Sequence, residues 1–293
     1  MVINKYLYFI FYIFSVSSVK KIFIFMARKK TEENIEETKY PRIIMGLDVS
    51  TVCIGVSIVA DYGEGKPEII KITHVSPKVS KKIKGIEALL LRKNIFEKEF
   101  LSTLTDSGIT DVVIEEPLIS SNNAVTVATL LRYNGMICES VYRVLGIVPT
   151  FISSYDARTY SFPDLLALRK YTKKGTLCDL KSIRRCAKDN HVVLFGAYPY
   201  DVDKKMVMMN KVDEMYDNIQ WILNKDGEIK KENYDACDSL VCALAYINVN
   251  RHGLEEPKVT SFCSTSGKNE NTVIEYTIEM WGQTYERTII LDD

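Results

Sequence analysis

The stretch Met45-Gly-Leu-Asp-Val-Ser-Thr-Val-Cys-Ile-Gly-Val-Ser-Ile-Val59 constrains what this chain can fold into more than any other. Ile43, Ile44, Met45 and Leu47 make one apolar run, Ile54, Val56, Ile58 and Val59 a second, with a short polar break between them. Two apolar runs about a tight turn predict strands that return side by side. Asp48 ends the first strand, Ser50 and Thr51 supply turn chemistry, and Gly55 allows another backbone to come close. A carboxylate at the end of a core strand is costly unless a cation neutralises it. Asp48 is therefore the first candidate functional residue, with a metal ion or a metal-bound phosphate as its partner.

The rest of the chain builds a sheet around that pair. Residues 66–75 alternate apolar positions (Ile69, Ile70, Ile72, Val75), which predicts a third strand and an antiparallel three-stranded meander. Residues 78–101 approximate helical spacing through Ile86, Leu89, Leu90, Ile95, Phe96, Phe100 and Leu101, with Lys78, Lys81, Lys82, Lys84, Arg92 and Lys93 crowding the front end. Residues 111–117 read as a short buried strand ending in carboxylates, with Glu115 where the strand stops. A helix over 122–145 follows, its expected inner face Val125, Val127, Leu130, Leu131, Ile137, Val141 and Val144, closed by Gly146. Residues 148–152 predict the next strand, and strand–helix–strand alternation makes these later strands parallel. The expected fold class is α/β: a mixed five-stranded sheet, meander plus parallel strands, flanked by helices.

Residues 160–200 are the most basic part of the chain, with Arg169, Lys170, Lys173, Lys174, Lys181, Arg184, Arg185 and Lys188. Tyr160, Phe162 and Tyr171 are interleaved, a pattern suited either to stacking on exposed bases or to an ordinary basic helix pair. A helix over 203–216 carries Met206, Met209, Val212 and Tyr216 inward; methionines at this spacing fit a core better than a cofactor pocket. Residues 234–247 are apolar nearly all round and read as a buried helix, with Asp235 and Asp238 on one face of its first turn. Residues 251–271 read as a polar connection, and 272–291 as an appended hairpin turning at Trp281-Gly-Gln.

The domain reading is thus an apolar leader and charged tail over 1–40, a main domain over 41–250 with a basic insertion near 160–200, and a linker with a terminal hairpin over 251–293. The apolar run from Tyr6 to Val16 is about half a bilayer span, Lys20-Lys21 interrupts it, and Met26-Ala-Arg-Lys-Lys resembles an ordinary amino terminus. The expectation is translation from Met26 and no membrane role; a peptide from residues 1–25 in mass spectra of the native protein overturns it. Thirty-eight basic and thirty-eight acidic residues cancel, so polyanion binding would need local clusters. Seven cysteines without a C-x-x-C pair suggest reduced, mostly buried thiols and a cytoplasmic setting.

Asp48, Glu115 and the pair Asp235/Asp238 all stand where a core should not tolerate acids. Singly, Asp48 could be a turn residue, Glu115 an exposed strand end, and Asp235 a helix cap. Jointly, four carboxylates without a balancing local basic cluster point to divalent cations with oxygen ligands, magnesium foremost. Two such ions about 4 Å apart clamp the attacking water and leaving oxygen of a phosphodiester.

With those residues in place, the chain resembles the RuvC-type Holliday junction resolvases of the RNase H-like nuclease superfamily. The stretches that carry the likeness are IIMGLDVSTVCIGVSIV, DVVIEEPLISSNNAVTVATLLRYNG, VPTFISSYDART and NYDACDSLVCALAYI, in the family's order from about residue 42 to 250. The resemblance implies Asp48 as the metal-bridging aspartate, Glu115 as second ligand, Asp235 and Asp238 as the helix aspartates, and Lys204 and Lys205 near the scissile phosphate. It also implies two Mg2+ ions (Mn2+ substituting), branched DNA such as four-way junctions as substrate, a homodimer with the helix after Asn122 as interface, and no small-molecule cofactor. Lys81, Lys82, Lys84, Lys173, Lys174, Arg184 and Arg185 are the expected DNA contacts. Val49-Ser50 stands where bacterial members usually have Pro-Gly, and Glu116 where they commonly have glutamine; such departures resemble virus-type members, with a host cytoplasm as setting. Glu116 thus competes with Glu115 as ligand, and strand alternation favours Glu115, which shares a face with Val113. The rivals are a sugar-kinase or actin-like phosphotransferase, lacking here a Gly-Gly adenosine motif, and an inactive RNase H-like binding module.

Overall fold

A computed structural model describes residues 40–117, 123–168, 194–195, 203–217, 219–265 and 272–291. Strands β1 (Arg42–Val49), β2 (Ile54–Asp61) and β3 (Glu68–Val75) form the expected antiparallel meander. β4 (Asp111–Glu115) runs parallel to β1, and β5 (Thr150–Ile152) parallel to β4. The order β3-β2-β1-β4-β5, with helices on both faces, is the RNase H-like sheet. Ser50 closes the β1–β2 turn: its hydroxyl donates to the Cys53 carbonyl at 2.8 Å and accepts from the Cys53 N–H at 3.0 Å.

Alternation along β1 divides the core. Met45 and Leu47 face α1 (Gly85–Glu99) and α2 (Ala124–Leu145), where Phe96, Tyr133, Ile137 and Val141 are buried with them. Ile44, with Val59 and Val113, faces α5 (Glu232–His252), α4 (Lys204–Met215) and α3 (Ser154–Ser161). Each such fully buried aliphatic side chain stabilises by about 1.5–3 kcal/mol relative to exposure. On the α5 face two glycines bring main chain onto main chain. A Cβ at Gly46 would lie 2.0 Å from the Ser239 carbonyl oxygen, and one at Gly55 1.9 Å from that of Asp235.

Several expectations need correction. The helix expected over 78–101 starts at Gly85, because Gly85 takes φ +63° and sets the chain turn there; Lys81 and Lys82 precede it, and Lys84 is its cap position. Its Ile86 and Leu90 are exposed. In α2, capped by the Asn123 side chain on the Val125 and Thr126 N–H groups and ended by left-handed Gly146, Val125 and Leu131 are exposed while Tyr133 and Asn134 are buried. Tyr160 and Phe162, offered as base-stacking residues, are core residues of the α5 layer. Met209, Val212 and Tyr216 are buried as expected, joined by Met208.

The segment read as a polar connection contains a strand, β8 (Lys258–Thr265), which pairs with β9 (Thr272–Met280) of the expected hairpin; β10 (Gln283–Leu291) completes an antiparallel sheet. Two-residue strands, β6 (Ala167–Leu168) and β7 (Leu194–Phe195), pair with each other. The β9–β10 turn places both Trp281 (φ +52°) and Gly282 (φ +69°) in the left-handed region, as tight hairpins require. Trp281 offsets the cost to a bulky residue by docking: its ring lies 5.9 Å from Tyr160 and 5.1 Å from His252, and its Nε1 donates to the Gly253 carbonyl. Buried Asp61, at the end of β2, pairs at 2.5 Å with Arg251 near the end of α5. Among the described residues no helix is long and apolar enough to cross a membrane, and Cys53, Cys138, Cys237 and Cys242 are free thiols. Residues 1–39, with the Met26 start, lie outside the described residues, as do Tyr171, Lys173, Lys174, Arg184 and Arg185.

Candidate metal centre

β1 and β4 are parallel neighbours, so their carboxyl ends emerge on the same edge of the sheet, with Asp48 next to last in β1 and Glu115 last in β4. Asp48 lies two residues beyond Gly46, hence on the α5 face, and Glu115 lies two beyond Val113 on that face. Directly across the ladder from Asp48 is Gly55, over which the Asp235 carbonyl sits. That contact seats the amino-terminal part of α5 over the end of β1. One ligand oxygen from each of Asp48, Glu115 and Asp238 then lies within 4.8 Å of the others.

Asp235 stands one turn before Asp238 and is not in that triad of oxygens, although its charge is felt at both Asp48 and Glu115. It is the fourth residue of α5, and Lys231 holds the cap position, so the capping role offered for Asp235 does not apply. Glu116 is exposed, with its N–H donating to the Ile152 carbonyl at 2.7 Å. Glu115 is the one of the two that joins the cluster.

The electrostatics are those of crowded, desolvated carboxylates. Burial, then repulsion from Glu115, Asp238 and Asp235, holds Asp48 well above the usual aspartate range. Burial followed by Asp238 pushes Glu115 up to about 7. Asp235 and Asp238 are also raised, in both cases mainly by burial. Two cations partly balance them, Lys205, which the resemblance implied, and Arg158, which it did not. The Lys205 ammonium lies 3.7 Å from Asp238 and 4.0 Å from Asp235, and the charge of Arg158 lowers both Glu115 and Asp238. They do not reverse the upward shifts. An all-oxygen donor set that is partly buried and short of positive charge fits a hard divalent cation such as magnesium.

Lys205 reaches the acids because Asp203 caps α4, accepting from the Lys205 N–H at 2.9 Å and the Met206 N–H at 3.4 Å. Lys204 is exposed at the first residue of that helix. Lys81, Lys82 and Lys84 are exposed in the segment that leaves β3, whose His74 pairs with Gly55; this segment departs from the acid-bearing edge of the sheet.

Three neighbours of the acids escaped the sequence reading. Arg158 is on α3, whose start carries the helix-start pattern Ser153-x-x-Asp156; the Ser153 hydroxyl accepts from the Asp156 N–H at 3.1 Å. The Cys53 thiol and the charge of His74 both favour ionised Asp235. Neither residue type stands in a motif, so only the fold reveals them.

No protein-family model and no curated protein matches this chain. Among solved structures, it is similar to Thermus thermophilus RuvC in complex with a Holliday junction substrate, at 13% identity and a TM-score of 0.47 over 72% of this chain and 96% of that one. The yeast mitochondrial Holliday junction resolvase Ydc2 is similar at 11% identity and a TM-score of 0.41, over 77% of this chain and 84% of that one. An Aquifex aeolicus PPX-GPPA enzyme is similar at 14% identity and a TM-score of 0.29, over 42% of this chain and 40% of that one. All three are distant likenesses, and the functional case rests on the carboxylates.

Proposed function

We propose that this protein is a magnesium-dependent, structure-selective endonuclease that resolves Holliday junctions and other branched DNA by phosphodiester hydrolysis, in the manner of a divergent, virus-type resolvase. The observation that supports it is the convergence of Asp48, Glu115 and Asp238, three acids from separate elements with ligand oxygens within 4.8 Å. With Asp235 beside them they would hold two Mg2+ ions, or Mn2+ in their place. Such ions supply an activated water and stabilise the leaving 3′ oxygen.

The remaining roles belong to the chain's own groups. Partial burial of the acids limits bulk water and would strengthen charge interactions at the reacting phosphate. Lys205 and Arg158 offer positive charge beside the acids, and Lys204 adds to it at the start of α4. Lys81, Lys82 and Lys84, and the sequence-dense Lys173, Lys174, Arg184 and Arg185, would grip phosphates, making affinity fall steeply with salt. The catalytic unit is residues 41–250, with 251–293 appended. Leu131 and Tyr142, exposed on α2, support a homodimer, which two symmetric cuts require. We place the protein in the cytoplasm, the host's if it is viral.

The test is incubation with labelled four-way junctions, flaps, single strands and RNA–DNA hybrids, with and without magnesium. The expected result is paired cuts across junctions only with the metal, and a loss of about 10³-fold or more in Asp48→Asn, since the variant loses the metal's contribution. Inactivity on every substrate, or full activity in Asp48→Asn, overturns the proposal. Cleavage confined to the RNA strand of hybrids redirects it to a ribonuclease.

A further inference from the structure

The carboxylates divide into two groups that share one member. Asp48, Glu115 and Asp238 converge on a common point, whereas Asp235 and Asp238 both lie within 4.0 Å of the Lys205 ammonium. We propose that Lys205 acts as a tethered cation that keeps a second divalent ion out of the resting site, so that the free protein binds one ion and takes the next only when a substrate phosphate draws the ammonium away. This rests on the metal-centre reading above and adds an order of loading to it.

The support for Lys205 suits such a role. Its backbone is fixed by the Asp203 cap, and α4 is tied to α5 by the Tyr234 hydroxyl donating to Met206 Sδ at 3.4 Å. The ammonium itself lies over the Tyr234 ring, 5.4 Å from its centroid. The side chain is nonetheless 45% exposed, so its charge is shared with water and it can leave the acids at small cost. A lysine is a compact charge on a flexible stem, able to pass from a carboxylate to a phosphate without rebuilding the site. A divalent ion between Asp235 and Asp238 and an ammonium at the same pair repel each other at short range, so the two compete.

Isothermal titration of the full-length protein with Mn2+, with paramagnetic resonance counting the bound ions, tests this without any measurement of cleavage. The native chain should bind one equivalent. Lys205→Met should bind two, its second site tighter by about tenfold or more once the repelling charge is gone. Lys205→Arg, which keeps the charge, should return to one. Two equivalents in the native chain, or a single one in Lys205→Met, overturns the inference while leaving the metal centre standing. If native protein and Asp48→Asn both bind no Mn2+, the metal-centre reading fails, and the inference with it.

Discussion

Asp48 faces Gly55 across the β1–β2 ladder, and the Asp235 main chain fills the space a side chain at Gly55 would need. The acids of the sheet and those of α5 are thereby set by backbone contact rather than by side-chain packing. Gly55→Ala should lower stability by about 1–3 kcal/mol through overpacking. It should also weaken Mn2+ binding more than the stability loss explains; calorimetric melts beside a Mn2+ titration check both. Glu115 supports a second expectation at this scale. Its folded pKa of about 7 exceeds the ordinary glutamate value, so between the two the folded chain holds more protons than the unfolded one. Metal-free stability therefore falls as pH rises from about 4.5 to 7, and Asp48, whose pKa is also raised, contributes in the same direction. Thermal melts in chelator should show it, with a shallower slope in Glu115→Gln.

α2 illustrates how an element can mislead when read from its sequence. Its apolar residues form two stripes, and only one is core. Tyr133, Ile137 and Val141 face the sheet, while Ala124, Leu131, Gly135 and Tyr142 fall within about 40° of one another on the opposite side. Leu131 and Tyr142 are 46% and 59% exposed, and the charged Arg132, Glu139 and Arg143 are offset to one flank. Leu131→Glu with Tyr142→Glu should convert the proposed dimer to a folded monomer, read by sedimentation with an unchanged circular-dichroism spectrum. A single sequence shows periodicity but not what covers a face, which is why Val125 and Leu131 were assigned inward. β1 to β5 were legible because alternation and turn chemistry agreed there. β8 was not, because Lys258-Val-Thr-Ser-Phe-Cys-Ser-Thr265 reads as polar and earns its strand from pairing with β9. α3 was hidden by its length, eight residues between a strand and a basic stretch.

Across the whole molecule, the four acids were legible because each broke a local rule, a charge at a place built for burial. Their counter-charges, Lys205 and Arg158, were only partly so, since a surface lysine or arginine breaks none. The sheet and α5 concentrate this conflict at one edge, so the fold and its cation should be linked thermodynamically. Magnesium at about 100 times its dissociation constant should add about 2.7 kcal/mol at pH 8. At pH 5, below the value of about 7 to which Glu115 is raised, it should add less; paired melts at the two pH values decide it. At the far end of α5, Trp281 presses on Tyr160 and His252 and is one of two tryptophans in the chain. With Trp221→Phe removing the other, its emission becomes an optical gauge of whether the terminal sheet is seated, readable during DNA binding while the global fold stays intact.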